Sequence, residues 1–86
     1  MITSPINRDV FESLTASEKF VFEWQYRMAG GFHKALAEAF CRADEENFIK
    51  LSIGFPAEGY GMDMYLHKEG WWPSVESKFD EKSSDQ

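Results

Sequence analysis

Apolar residues recur every three or four positions from Phe20 to Ala43, and this spacing constrains the fold more than any other feature of the chain. On a helical wheel they form one broad arc whose phase is kept across Gly30 and Gly31. We therefore predict one helix from Ala16 to Ala43, in which the glycines mark a kink or the close approach of another helix. The arc covers about half of the circumference, so we expect the helix to be covered on more than one side. Its members are Phe20, Val21, Trp24, Met28, Gly31, Phe32, Ala35, Leu36, Ala39 and Ala43.

Capping residues indicate where this helix and its shorter neighbours begin. Thr15 and Glu18 have the spacing of a capping box, in which each residue bonds the backbone of the other. Asn7 and Asp44 are placed to cap two further helices. The Gly54-Phe55-Pro56 run is typical of a corner, because glycine ends one helix and proline opens the next. The short helices predicted in this way cover residues 8–14, 45–53, 56–68 and 74–79. The residues predicted to be buried in the helix after the corner are Tyr60, Met64, Tyr65 and Leu66.

The size of the chain allows one core. It has 86 residues, of which 43% are apolar, and this is too little for two domains. Cys41 is the only cysteine, so an internal disulfide is excluded and self-association, for example as a homodimer, is the remaining way to add stability. We predict an all-α, compact single domain with a long central helix and three or four short helices packed on it. The predicted divisions are an N-terminal arm over 1–7, a helical domain over 8–79 and a disordered tail over 80–86.

The net charge of −6 argues against direct binding of nucleic acid, which needs clustered lysine and arginine. An acidic surface is typical of soluble proteins and also suits a basic partner. No apolar run reaches the roughly 18 residues that span a membrane, and no basic segment followed by an apolar run marks a secretion signal. We therefore expect a cytoplasmic protein that does not contact a membrane.

Two residue pairs contain side chains of the kinds that bind metals or catalyse reactions. His33 and Cys41 lie about 80° apart on the wheel and two turns distant, which does not match the tighter spacing of zinc ligands. Asp63 and His67 have the i,i+4 spacing at which a carboxylate can orient an imidazole base, but no motif ties a nucleophile to them. We predict no catalytic residue, no metal site and no cofactor, and we keep a small enzyme using Asp63 and His67 as an alternative.

Aromatic residues provide the candidates for protein binding, because they dominate the energetics of interfaces. Trp71 and Trp72 are adjacent and cannot both face the core in regular structure. Gln25 is a polar residue on the apolar side of the wheel, where it could set the register between two subunits. The candidate protein-binding residues are Phe22, Trp24, Gln25, Tyr26, Trp71 and Trp72.

Four segments carry a resemblance to a known group of proteins: the run from Phe22 to Phe32, Arg42-Ala43-Asp44, Gly54-Phe55-Pro56 and Gly70-Trp71-Trp72. With these segments the chain resembles small uncharacterised helical proteins of tailed bacteriophages and prophages. The resemblance implies a phage origin and a compact helical fold, and it brings no catalytic residues.

Small accessory phage proteins commonly bind host or phage proteins. The resemblance therefore implies a non-enzymatic accessory protein in the bacterial host cell that acts by protein–protein binding, with inhibition of a host or defence factor as one form of that activity. The alternative is a structural or assembly protein that self-associates through a face around Trp24, Gln25 and Gly31.

Overall fold

The computed structural model describes residues 7–84 and divides them into six helices. These residues contain no strand, so the predicted all-α, single-domain fold is confirmed. Residues 1–6 of the predicted arm and residues 85–86 of the predicted tail lie outside the described range. The helices are α1 (Arg8–Ser13), α2 (Ala16–Gln25), α3 (Gly31–Arg42), α4 (Glu45–Gly54), α5 (Pro56–His67) and α6 (Trp71–Ser84).

The predicted N-terminal caps are confirmed, whereas Gly54 is the last residue of α4 and Phe55 forms its C-cap. The Asn7 side chain accepts a hydrogen bond from the first turn of α1 at 3.2 Å. In the capping box, the Glu18 amide donates to the Thr15 hydroxyl at 3.1 Å and the Thr15 amide donates to the Glu18 carboxylate at 2.8 Å. The Asp44 carboxylate accepts from the first turn of α4 at 2.9 Å, and Pro56 opens α5. Each cap satisfies backbone N–H groups that a helix start leaves unpaired.

The prediction of one long helix is wrong, because the chain leaves the helical path at Arg27. This residue has a φ of 59°, which is the left-handed conformation. The Met28 amide donates to the Glu23 carbonyl at 2.7 Å, and the Arg27 amide donates to the Trp24 carbonyl at 3.3 Å. These two bonds form a Schellman motif, which ends a helix and usually has glycine at the left-handed position. Helices α2 and α3 are therefore separate elements.

The break also changes which side of α3 is buried. Leu36, Ala37 and Phe40 form its buried side, whereas Phe32, predicted to lie in the apolar arc, is exposed. Gly30 caps α3 with ordinary extended geometry, and a methyl group on Gly30 or Gly31 would meet open space. The close helix approach predicted for these two glycines is therefore not found there.

The central element is α5, which packs against α2, α3, α4 and α6. Two of its glycines lie directly against neighbouring helices. A methyl group on Gly61 would lie 2.6 Å from the carbonyl oxygen of Ser17 in α2, and one on Gly59 would lie 2.7 Å from the Cβ of Ser52 in α4. Both separations are shorter than van der Waals contact, so only glycine fits these positions at the observed helix spacing.

A buried hydrogen bond reinforces the contact between α2 and α5. The Ser17 hydroxyl donates to the carbonyl of Ala57 at 2.6 Å. Ser17 is buried, and this bond satisfies its polar group away from water. Because the acceptor is a backbone carbonyl in the first turn of α5, the bond holds the beginning of that helix against the beginning of α2.

Two apolar clusters form the core. The first joins α2, α3 and α5, and the second joins α1, α2 and α6. Trp71 and Trp72 are half-buried and pack against both clusters. The first cluster consists of Phe20, Val21, Leu36, Ala37, Phe40 and Met62, and the second of Val10, Leu14, Phe22, Val75 and Phe79.

Two polar contacts attach α6 to α2 at the edge of the second cluster. The Lys78 ammonium donates to the Glu18 carboxylate at 2.9 Å, and the Tyr26 hydroxyl donates to the Glu76 carboxylate at 2.7 Å. The helix itself begins at Trp71 and continues to Ser84, whereas the sequence predicted a helix over 74–79 followed by a disordered tail. The predicted helix bounds are corrected accordingly.

We expect Gly61→Ala to lower the free energy of unfolding by about 1–3 kcal/mol, because the new methyl group would collide with a backbone carbonyl that cannot rotate away. Gly31→Ala is the matched control, since it adds the same group to a helix in open space and should leave stability unchanged or raise it by up to about 1 kcal/mol. Urea denaturation followed by circular dichroism measures both. Equal effects of the two substitutions would contradict the close contact.

We expect Arg27→Gly to raise the free energy of unfolding by about 0.5–1 kcal/mol, since relief of the left-handed conformation outweighs the greater freedom of glycine in the unfolded chain. Arg27→Ala removes the same charge and keeps the unfavourable backbone, so it should bring no gain. Thermal unfolding of the three proteins distinguishes the two effects. A continuous helix through Arg27 would instead make glycine the most destabilising of the three residues.

Candidate functional site

The aromatic residues predicted to bind a protein partner lie mostly inside the fold. Phe22 is fully buried and stacks on Tyr26 and Phe79, with ring centroids 4.5 and 4.8 Å away, so it cannot contact a partner. Trp24 is half-buried and meets Tyr65 edge to face at 5.4 Å. These side chains hold helices together.

The other candidates are half-buried as well. Trp72 contacts both Tyr65 and Tyr26, and Trp71 packs beside it at 6.3 Å. Gln25, the last residue of α2, is also half-buried. The two adjacent tryptophans lie between the two core clusters and pack against both of them, rather than on an open surface.

The large exposed apolar side chains lie elsewhere, with most of them on α4 and α5. Ile49 and Ile53 of α4 are 54% and 77% exposed, and Tyr60 and Leu66 of α5 are 58% and 41% exposed. The sequence predicts that Tyr60 and Leu66 are buried, and this prediction is wrong. The helix packs through Gly59, Gly61 and Met62 instead, which leaves its larger side chains free.

These four side chains line a single groove between α3, α4 and α5, which we call the α4–α5 groove. Its volume is about 910 Å³. The buried ring of Phe40 and the half-buried ring of Phe48 meet edge to face at 5.1 Å along it. The described lining residues are Phe40, Cys41, Ala43, Asp44, Glu45, Phe48, Ile49, Ser52, Ile53, Gly59, Tyr60, Asp63, Leu66 and His67.

The charged groups of the α4–α5 groove are carboxylates. Asp44, Glu45 and Asp63 line it, and none of the described lining residues is a lysine or arginine. The lysine of α4 is Lys50, whose Nζ lies 3.3 Å from a carboxylate oxygen of Glu46. Both side chains are exposed, and neither lines the groove. The described lining therefore combines large apolar side chains with three carboxylates.

The predicted pair of Asp63 and His67 forms a contact in the wall of this groove. His67 Nδ1 lies 2.8 Å from an Asp63 carboxylate oxygen, and both side chains are mostly exposed. Cys41 lines the same groove, and partial burial, followed by the Glu38 carboxylate, raises the pKa of its thiol. A raised pKa lowers the fraction of reactive thiolate, which opposes nucleophilic chemistry.

The residues considered for metal binding are apart in the fold. His33 lies against the rings of Phe20 and Phe32, at 5.8 and 5.5 Å, whereas Cys41 lines the groove. Among the side chains that the structure describes, no three of histidine, cysteine, aspartate or glutamate converge as a metal site would require. Over residues 7–84, no helix has both the length and the apolar character needed to cross a bilayer.

Comparison of the chain with protein-family models, with curated proteins and with solved structures found no match.

One signal in the sequence could have revealed the groove. At about 100° per residue, Phe48 and Leu51 occupy one side of α4, whereas Ile49 and Ile53 occupy another. A short helix at the edge of a small domain needs only one apolar side for its own packing. The second apolar side of α4 therefore indicates a surface that is available to another molecule.

Proposed function

We propose that this chain is a non-enzymatic accessory protein of a phage or prophage that acts by protein–protein binding, and that the α4–α5 groove is its binding surface. One observation carries the binding role: large apolar side chains with 41% to 77% of their surface exposed surround a groove of about 910 Å³. Large apolar side chains that are exposed around one groove are typical of interaction sites in soluble proteins. The phage origin rests on the sequence resemblance.

The remaining features of the groove support binding over catalysis. Asp63 and His67 are mostly exposed to solvent, which weakens their coupling in comparison with a buried catalytic pair. The thiol of Cys41 has a raised pKa, so it is not activated as a nucleophile. Inhibition of a host or defence factor is the form of activity that we propose, because occupying a partner's surface needs no chemistry.

We place this activity in the cytoplasm of the bacterial host. The single cysteine is free and exposed, which suits a reducing compartment.

Self-association is the second candidate, and a separate apolar area favours it. Phe32, the residue after Gly31, is 64% exposed, and Met28, four positions after Trp24 in the sequence, is 48% exposed. A structural or assembly protein could use this area as a contact between copies. Sedimentation of Phe32→Asp beside the unaltered protein tests it, because a dimer formed there would dissociate in the variant.

Affinity capture from bacterial host lysate tests the proposed function. We expect the unaltered protein to retain a host protein that Ile53→Asp loses by about tenfold or more, as for a residue central to an interface. Phe32→Asp is the matched control, since it places the same charge on an exposed apolar position outside the groove and should retain the host protein. Circular dichroism verifies that both variants fold. Capture lost equally in both variants, or no capture by the unaltered protein, would contradict a binding role for the groove.

A further inference from the structure

The chemistry of the α4–α5 groove specifies its partner, provided that the proposed binding function holds. We propose that the groove binds an amphipathic α-helix with an apolar stripe flanked by lysine or arginine. The proposal rests on the spacing of the exposed apolar residues and on the sign of the charges that line the groove.

The exposed apolar residues of α4 are spaced so that they can contact successive turns of a helix bound in the groove. Ile49 and Ile53 are one turn apart on α4, which places them about 6 Å apart along the helix axis. Tyr60 and Leu66 lie on α5 across the same groove. A helix that lies in a groove inserts side chains from positions i, i+3 or i+4, and i+7, which repeat at about this interval.

The charges of the groove select a basic helix. Asp44, Glu45 and Asp63 line it without any lysine or arginine among the described lining residues, and the chain has a net charge of −6. Lysine or arginine beside the apolar stripe of the partner would meet these carboxylates. Complementary charges at the edge of an interface steer association and exclude partners of the wrong sign.

The same charges disfavour a second copy of this chain as the occupant. Two copies joined groove to groove would bring the three carboxylates of one against the three of the other. Like charges brought together at an interface are repulsive. Nucleic acid and anionic lipid surfaces carry the same unfavourable sign, so the groove suits a cationic protein segment.

The test uses the full chain and two synthetic helical peptides of about 14 residues, or four turns. One peptide carries a leucine stripe flanked by lysines, and the other has glutamate at every lysine position. Binding is measured by fluorescence anisotropy of labelled peptide, and the site by amide chemical shifts of ¹⁵N-labelled protein. We expect the basic peptide to bind at least about tenfold more tightly than the glutamate peptide. Its binding should change the chemical shifts of amides in α4 and α5.

Neighbouring carboxylates provide a matched pair of variants. Glu45→Gln removes a charge that lines the groove, whereas Glu46→Gln removes the same charge from the next residue, which does not line it. Both lie in the first turn of α4, and Glu46 also pairs with Lys50 in an exposed contact that adds little to helix stability. We expect Glu45→Gln to lower the affinity of the protein for the basic peptide about threefold or more. Glu46→Gln should lower that affinity by less.

Three results would overturn the basic-helix proposal: equal binding of the two peptides, equal effects of the two glutamine variants, or a dimer that Ile53→Asp dissociates. The last result would identify a second copy as the occupant. If the peptides show no preference while capture from lysate still depends on Ile53, the proposed function stands and only the partner chemistry fails. If the peptides show no preference and capture from lysate does not depend on Ile53, the binding role itself is contradicted.

Discussion

The close contact between α5 and α2 is the constraint on which the rest of the structure depends. Gly61 lies so near the backbone of Ser17 that any side chain would collide with its carbonyl oxygen. The buried hydrogen bond from Ser17 to the Ala57 carbonyl fixes the same two helices one turn earlier in α5. Because the helices meet through glycine and serine, α5 reaches the middle of the domain and packs against four other helices.

The open groove is a consequence of this packing. A helix that uses its glycines and Met62 for internal contacts does not need its larger residues there, and Tyr60 and Leu66 remain on the outside. On the other wall, α4 turns Phe48 and Leu51 toward the core and leaves Ile49 and Ile53 exposed. The tight inner contact and the exposed outer surface therefore result from the same packing of α5.

Local features of the sequence predicted the structure better than its long-range contacts. The caps at Asn7, Thr15 and Asp44 were predictable because a cap depends on residues within one helical turn. The break at Arg27 was not, since glycine or asparagine normally occupies the left-handed position and arginine gives no such signal. The buried side of α5 was missed because large apolar residues were expected to be inside, whereas the contact was made by residues with almost no side chain.

Residue-resolved hydrogen exchange tests directly whether the contact between α2 and α5 holds the domain together. Amides that exchange only when the whole domain unfolds show the free energy of global unfolding, and those in less stable parts show lower values. We predict that amides in the middle of α2 and α5 reach the value measured by urea denaturation and that amides of α1 fall below it. Exchange of the α5 amides by local opening, at a free energy clearly below that of α2, would show that this contact does not hold the domain together.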